Sequence, residues 1–278
     1  MKAVIEVDAS RGKDWEEKIH QGMSLARQKD IHFFDAMSLA SRYVVGDALS
    51  MADTISLGYK TMFPRQEKSL VAFIDQALME LRRDEIDILW LSGSPLWQRS
   101  LMDAIKLQKA GKLRQIGLVN MRLKDCKQAQ SILQETGTQL YGVRCVYNLL
   151  ERRNQDILDW CGENDLAFWA TDLLASGFLA EQDWWLENMF PDHMARLEPL
   201  RDLLGAIGGK YRMTMVTCAM AYVMAKKATP VVHLRDFMNM KQIEDICCLK
   251  QEDVLALENK ADLGKGSWAY AMARRFGR

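Results

Sequence analysis

Short apolar runs alternate with amphipathic stretches along most of the 278-residue chain. "AVIEV" (3–7) precedes a helical stretch from Trp15 to Gln28, and "IHFF" (31–34) precedes a shorter one from Arg42 to Leu49. "TISLGY" (54–59) leads into "SLVAFIDQALMELRR" (69–83), where Leu70, Phe73, Ile74, Ala77, Leu78 and Leu81 share one helical face. "IDILWL" (86–91) precedes a helix from Ser100 to Lys109, and "QIGLV" (115–119) one from Lys124 to Leu133. "GVRCV" (142–146) precedes Asp156 to Cys161, and "LAFWAT" (166–171) precedes a longer irregular region. "TPVVHL" (229–234) comes last, followed by two helical segments reaching about Lys260.

Strands alternating with helices at this rhythm imply parallel pairing through right-handed crossovers. Eight such units predict an α/β fold, a closed (β/α)8 TIM barrel, with residues 1–278 as a single domain. An open doubly wound sheet is the alternative, but the GxGxxG turn that such sheets often carry for dinucleotides is absent. Residues 175–212, containing "EQDWWLENMFPDHM", read as a long excursion after the seventh strand.

Charge changes the picture by exclusion. Lys+Arg and Asp+Glu both number 37, which removes the electrostatic argument for nucleic acid or an anionic membrane surface. No apolar run approaches the ~18 residues of a membrane span, and the N-terminus turns charged before a signal-peptide core develops. A cytoplasmic protein with reduced thiols is expected. Six cysteines include no CxxC pair, and Cys247 and Cys248 are adjacent, which suits neither a zinc site nor an ordinary disulfide frame. His20, His32 and His193 lack carboxylates or thiolates at ligand spacing, so no metal is expected.

In such a barrel chemistry belongs at the C-terminal ends of the strands. The residues standing there are Asp35, Tyr59 and Lys60, Ser92, Asn120, Arg144, Thr171 and Asp172, and His233 with Arg235. Consecutive strand residues face opposite sides, so only one of Tyr59 and Lys60 points inward. Trp90 and Trp169 either wall an apolar pocket or fill the core, and Trp184 with Trp185 either closes on a ligand or serves an interface.

At these positions the chain resembles the aldo/keto reductases, NADP(H)-dependent barrels. "FFDA" is similar to the family's F-D-T-A strand end, "GKLRQIGLVN" to GKIRAIGVSN, "GVRCVYNLLERR" to VQVEYNLLDR, and "FWATDLLASGFL" to AYSPLASGLL. The likeness implies a catalytic tetrad of Asp, Tyr, Lys and His, in which Tyr donates a proton and His orients the carbonyl. Asp35 matches the Asp and Lys60 the Lys; the Tyr position falls in "MSLAS", and Ser92 replaces the His. The resemblance assigns cofactor contacts to Asn120, Arg144, Thr171, His233 and Arg235. Arg144 stands for an amide-binding Gln and Thr171 for a stacking Tyr, while Val119 takes the place of a Ser. The N-terminal strand carries Glu6 and Asp8 in place of a Gly-rich run.

Losing a proton donor costs ~10²–10⁴ in rate, so ordinary carbonyl reduction is expected to be poor. Three readings follow. The first is a repurposed enzyme acting on a small organic molecule by acid/base chemistry at Asp35, Lys60 and Tyr59, with Ser92, Trp90 and Trp169 around the substrate. Elimination, isomerisation or cyclisation at such a site needs no nicotinamide. The second is an NADPH-dependent oxidoreductase with altered and weakened cofactor contacts. The third is a pseudoenzyme that binds a ligand or a partner.

Overall fold

The computed structural model describes residues 3–7, 14–36, 41–59, 69–180, 184–240 and 246–262. The elements run β1 (Val4–Glu6), α1 (Trp15–Gln28), β2 (Phe33–Asp35), α2 (Arg42–Ala48), β3 (Thr54–Tyr59), α3 (Leu70–Leu81), β4 (Ile86–Ser92) and α4 (Trp97–Lys109). They continue with β5 (Leu113–Val119), α5 (Leu123–Glu135), β6 (Leu140–Val146), α6 (Gln155–Glu163) and β7 (Ala167–Thr171). After β7 come α7 (Trp184–Met189), α8 (Pro191–Lys210), α9 (Met215–Ala225), β8 (Thr229–His233), α10 (Leu234–Asn239) and α11 (Gln251–Asp262). The eight strands form a closed barrel in sequence order, a (β/α)8 TIM barrel.

The strands read as near-continuous apolar runs because a barrel strand is covered on both faces, by side chains inside and helices outside. In β4, Ile86, Ile88, Leu89, Trp90 and Leu91 are all buried. Helix ends follow local chemistry. Ser69 caps α3 by accepting the Ala72 amide at 3.2 Å, and Arg82 closes it in the left-handed conformation at φ 53°. Thr214 caps α9 by accepting the Thr217 amide at 3.2 Å.

Within 175–212, the described stretch from Trp184 to Lys210 is helical rather than irregular. α7 and α8 occupy most of that stretch, and α9 follows before β8. Pro191 stands at the start of α8, where it fits, but Pro199 and glycines 205, 208 and 209 lie inside and mask the helical pattern. α9, "MVTCAMAYVMA", buries every residue from Thr217 to Val223 and so shows no polar face to the eye.

Contacts within the chain fall into two compact units. The first comprises Met1–Cys145, Asp156–Trp169 and Val231–Met238; the second comprises Val146–Gln155, Ala170–Pro230 and Asn239–Arg278. The first unit holds a core of Val4, Ile88, Trp90, Val119, Trp169 and Val231. The Trp90 and Trp169 ring centroids lie 4.7 Å apart, with Tyr141 edge-on to both. Gly117 on β5 makes room for this indole, since a Cβ there would overlap the six-membered ring of Trp90.

In the second unit, Glu258 on α11 accepts from Tyr222 at 2.9 Å and Lys226 at 3.1 Å, tying α11 to α9. Phe178, Phe190 and His193 stack edge-to-face nearby in sequence, and burial pushes the His193 imidazole down, aided by Arg196. No described helix is long and apolar enough to cross a membrane.

Candidate functional site

Strand register decides which side chains share a level at the rim. His233 on β8 sits beside Glu6 on β1, Glu6 beside Asp35 on β2, and Asp35 beside Ser56 on β3. On the far side of the same unit, Ser92 pairs with Val119 and Val119 with Arg144 on β6. Neighbours in parallel register point the same way, so these side chains converge without help from any loop.

Arg144 joins the two groups. Its Nη1 donates to Oδ2 of Asp35 and its Nη2 donates to Oε2 of Glu6, so one guanidinium serves two carboxylates. Ser56 Oγ donates to the other Asp35 oxygen at 2.7 Å. Asp35 is completely buried and Arg144 nearly so, whereas the Glu6 side chain keeps 16% exposure. Beyond Glu6, the half-exposed His233 holds Nδ1 3.6 Å from Glu6 Oε1, an ion-pair separation too long for a good hydrogen bond. The result is an ordered chain, Ser56–Asp35–Arg144–Glu6–His233, running from the dry interior to solvent.

Its electrostatics follow from two acids sharing one cation. Burial is the largest influence on Asp35 and pushes its carboxyl up. Arg144 opposes this, Glu6 adds to it, and the Ser56 hydroxyl opposes it, leaving the group at about 6. Burial lowers the Arg144 guanidinium, but Asp35 and Glu6 together more than offset that and hold it charged.

The structure places the sequence candidates unevenly. Asp35 and Arg144 come together, Arg144 being a residue that the resemblance assigns to the cofactor rather than to the tetrad. Lys60 lies outside the described residues. Tyr59 faces the wrong way for a proton donor beside Asp35: its ring packs edge-on against Phe73 of α3 at 5.0 Å, in the layer between barrel and helices. Trp90 and Trp169 are wholly buried in the barrel core. Ser92 ends β4 with its Oγ buried and without a hydrogen-bond partner. Asn120, at φ 51°, is exposed at the end of β5, and its amide donates to the Arg144 carbonyl at 2.9 Å.

Arg235 is largely exposed and pairs with Asp236 at 3.2 Å. In the second unit Thr171 ends β7 half-buried, its carbonyl accepting the Tyr147 amide. Asp172 after it, at φ 57°, accepts the Ser176 amide at 2.6 Å and so closes a turn. Among the described residues no group of three or more His, Cys, Asp or Glu side chains could hold a metal ion.

Glu6, noted in the sequence only as standing in place of a Gly-rich run, is the second carboxylate of this cluster. Its signal was present: an acid in a three-residue strand, two positions after inward-facing Val4 and therefore also inward-facing.

Comparison with known proteins agrees with this architecture. The profile of the Aldo/keto reductase family matches residues 40–262, and the chain belongs to that family. An uncharacterised oxidoreductase of Schizosaccharomyces pombe is 27% identical over 128 residues, covering 42% of this chain. The match spans 39% of that relative's own length. The structure of a glycerol dehydrogenase from Gluconobacter oxydans superposes with a TM-score of 0.79 at 16% identity, covering 93% of this chain and 90% of that one. At that identity the likeness speaks for the fold.

Two outcomes test the charge chain. Removing the shared cation by Arg144→Met leaves two carboxylates facing each other, and we expect a loss of about 3–5 kcal/mol in urea denaturation at neutral pH. The second concerns pH. Because the folded pKa of Asp35 lies above the unfolded 3.8, the folded state binds the extra proton between 3.8 and about 6. The stability of the wild type relative to Asp35→Asn therefore falls as pH rises through that window. A difference that grows with pH would contradict the assignment.

Proposed function

We propose that this barrel acts on a small organic molecule by proton transfer at its C-terminal rim, in an elimination, isomerisation or cyclisation that uses no hydride. The observation that carries the reading is the commitment of Arg144 to Glu6 and Asp35. The family resemblance puts an amide-holding Gln at that place; here the side chain is charged, buried and turned into the barrel.

Two further positions that the resemblance assigns to the nicotinamide carry unlike residues. Thr171 offers nothing to stack on and Val119 no hydroxyl. The accessible proton carrier is His233, whose Nδ1 side faces Glu6 and whose Nε2 side has no partner among the described residues. A carboxylate behind an imidazole orients it and stabilises its charged form when it takes a proton. Arg144 in turn keeps Glu6 in place, and Asp35 with Ser56 keeps Arg144 in place. The unpaired Ser92 Oγ is the group best able to hold a polar atom of the ligand.

A second reading, NADP(H)-dependent carbonyl reduction through altered contacts, draws on family membership and on exposed Asn120 and Arg235. The two separate in one experiment. Nitrobenzisoxazole reports proton abstraction without cofactor, and para-nitrobenzaldehyde with NADPH reports reduction. We expect cofactor-free turnover of the first that drops ~10²-fold or more in His233→Gln and recovers on adding free imidazole. NADPH consumption with the aldehyde, and no cofactor-free turnover, would favour the second reading. Inactivity towards both would leave a binding protein.

A further inference from the structure

The adjacent cysteines, Cys247 and Cys248, play no part in the barrel site. All six cysteines of the chain are free, but they divide sharply by environment. Cys126, Cys145, Cys161 and Cys218 are buried, and burial pushes their thiols up, those of Cys145, Cys161 and Cys218 to about 12. Such thiols are poor nucleophiles, since the thiolate is the reacting form. Cys247 and Cys248 are both exposed. They lie in the stretch 246–250, outside any helix or strand, and neither takes part in a backbone–backbone hydrogen bond among the described residues.

The stretch is pinned just beyond them. Leu249 is buried, the Lys250 amide donates to Tyr211 Oη at 3.1 Å, and α11 begins at Gln251. Asp253 in its first turn accepts from the same Tyr211 hydroxyl at 2.6 Å and from Lys210 at 2.8 Å. A change of backbone at the two cysteines is thus delivered to the anchored start of α11.

We propose that Cys247 and Cys248 are a reversible thiol–disulfide site, closing to a vicinal disulfide on reaction with a low-molecular-weight disulfide such as oxidised glutathione. One cysteine thiolate attacks a glutathione sulfur, forming a protein–glutathione disulfide and releasing one glutathione thiolate. The neighbouring thiolate attacks the protein sulfur of that bond, the Cys247–Cys248 bond forms, and the second glutathione leaves as thiolate. The two thiol protons pass to solvent or to the departing thiolates. The pair loses two electrons and the glutathione disulfide gains them.

Geometry makes the product labile. Bridged cysteines prefer Cα atoms about 4.4–6.8 Å apart, whereas consecutive Cα atoms across a trans peptide are about 3.8 Å apart. Ring closure therefore strains the backbone, which only an unpaired stretch such as this can absorb. Strained bridges have the more oxidising potentials that small thiols readily reverse.

The test uses the full chain, reduced, freed of reductant and exposed to oxidised glutathione at neutral pH. Free thiols are titrated in the native state, and the intact mass and the thiol-blocked peptides are determined. The expected result is loss of the exposed thiols, a mass lower by two hydrogens, a bond within the peptide carrying both residues, and full reversal by dithiothreitol. Cys248→Ser should instead retain glutathione as a stable adduct. A persistent glutathione adduct on the wild type, a Cys218–Cys247 link, or thiols that do not react would each overturn the proposal.

Discussion

A single guanidinium shared between two carboxylates organises the mouth of this barrel. Arg144 crosses from β6 to reach Asp35 on β2 and Glu6 on β1 and ties the two carboxylates together. Charges so buried are costly unless paired and fully hydrogen-bonded. The arrangement meets that condition: Ser56 occupies the second Asp35 oxygen, and Glu6 reaches towards solvent, where His233 faces it. Strand register alone brings these groups level, so the chain of charges is a property of the sheet rather than of loops.

That commitment has consequences for chemistry. The Arg144 guanidinium is engaged by two acids, and a carboxyl poised at about 6 changes its proton content within the ordinary range of pH. The exposure of the linked groups rises from buried Asp35 and Arg144, through Glu6 at 16%, to half-exposed His233. Function resides in the site and not in the fold, and membership of the aldo/keto reductase family sets the scaffold without dictating the reaction.

Much of the fold was legible because each barrel strand is a short apolar run and most outer helices have one apolar face. α1 and β3 fall within the bounds that pattern suggests. The stretch between β7 and β8 was opaque for two opposite reasons: α8 carries Pro199 and internal glycines, and α9 is apolar all round. At the site, Asp35 was readable from its strand-end position. The pairing of Arg144 was not, because Asp35 and Arg144 lie 109 residues apart and only barrel closure brings them into contact. Tyr59 shows how one residue of register decides a role, since Ser56, three positions earlier, faces Asp35 while Tyr59 meets Phe73.

We propose that Arg144 stays held by Glu6 and Asp35 and does not receive a dinucleotide. Nitrogen NMR of the arginine guanidinium groups reads this state. We expect two resolved, slowly exchanging Arg144 Nη signals, one displaced by Glu6→Gln and the other by Asp35→Asn, with neither moved by saturating NADPH. A single rotationally averaged signal that exchanges freely with water, or Nη signals that shift when NADPH is added, would contradict it.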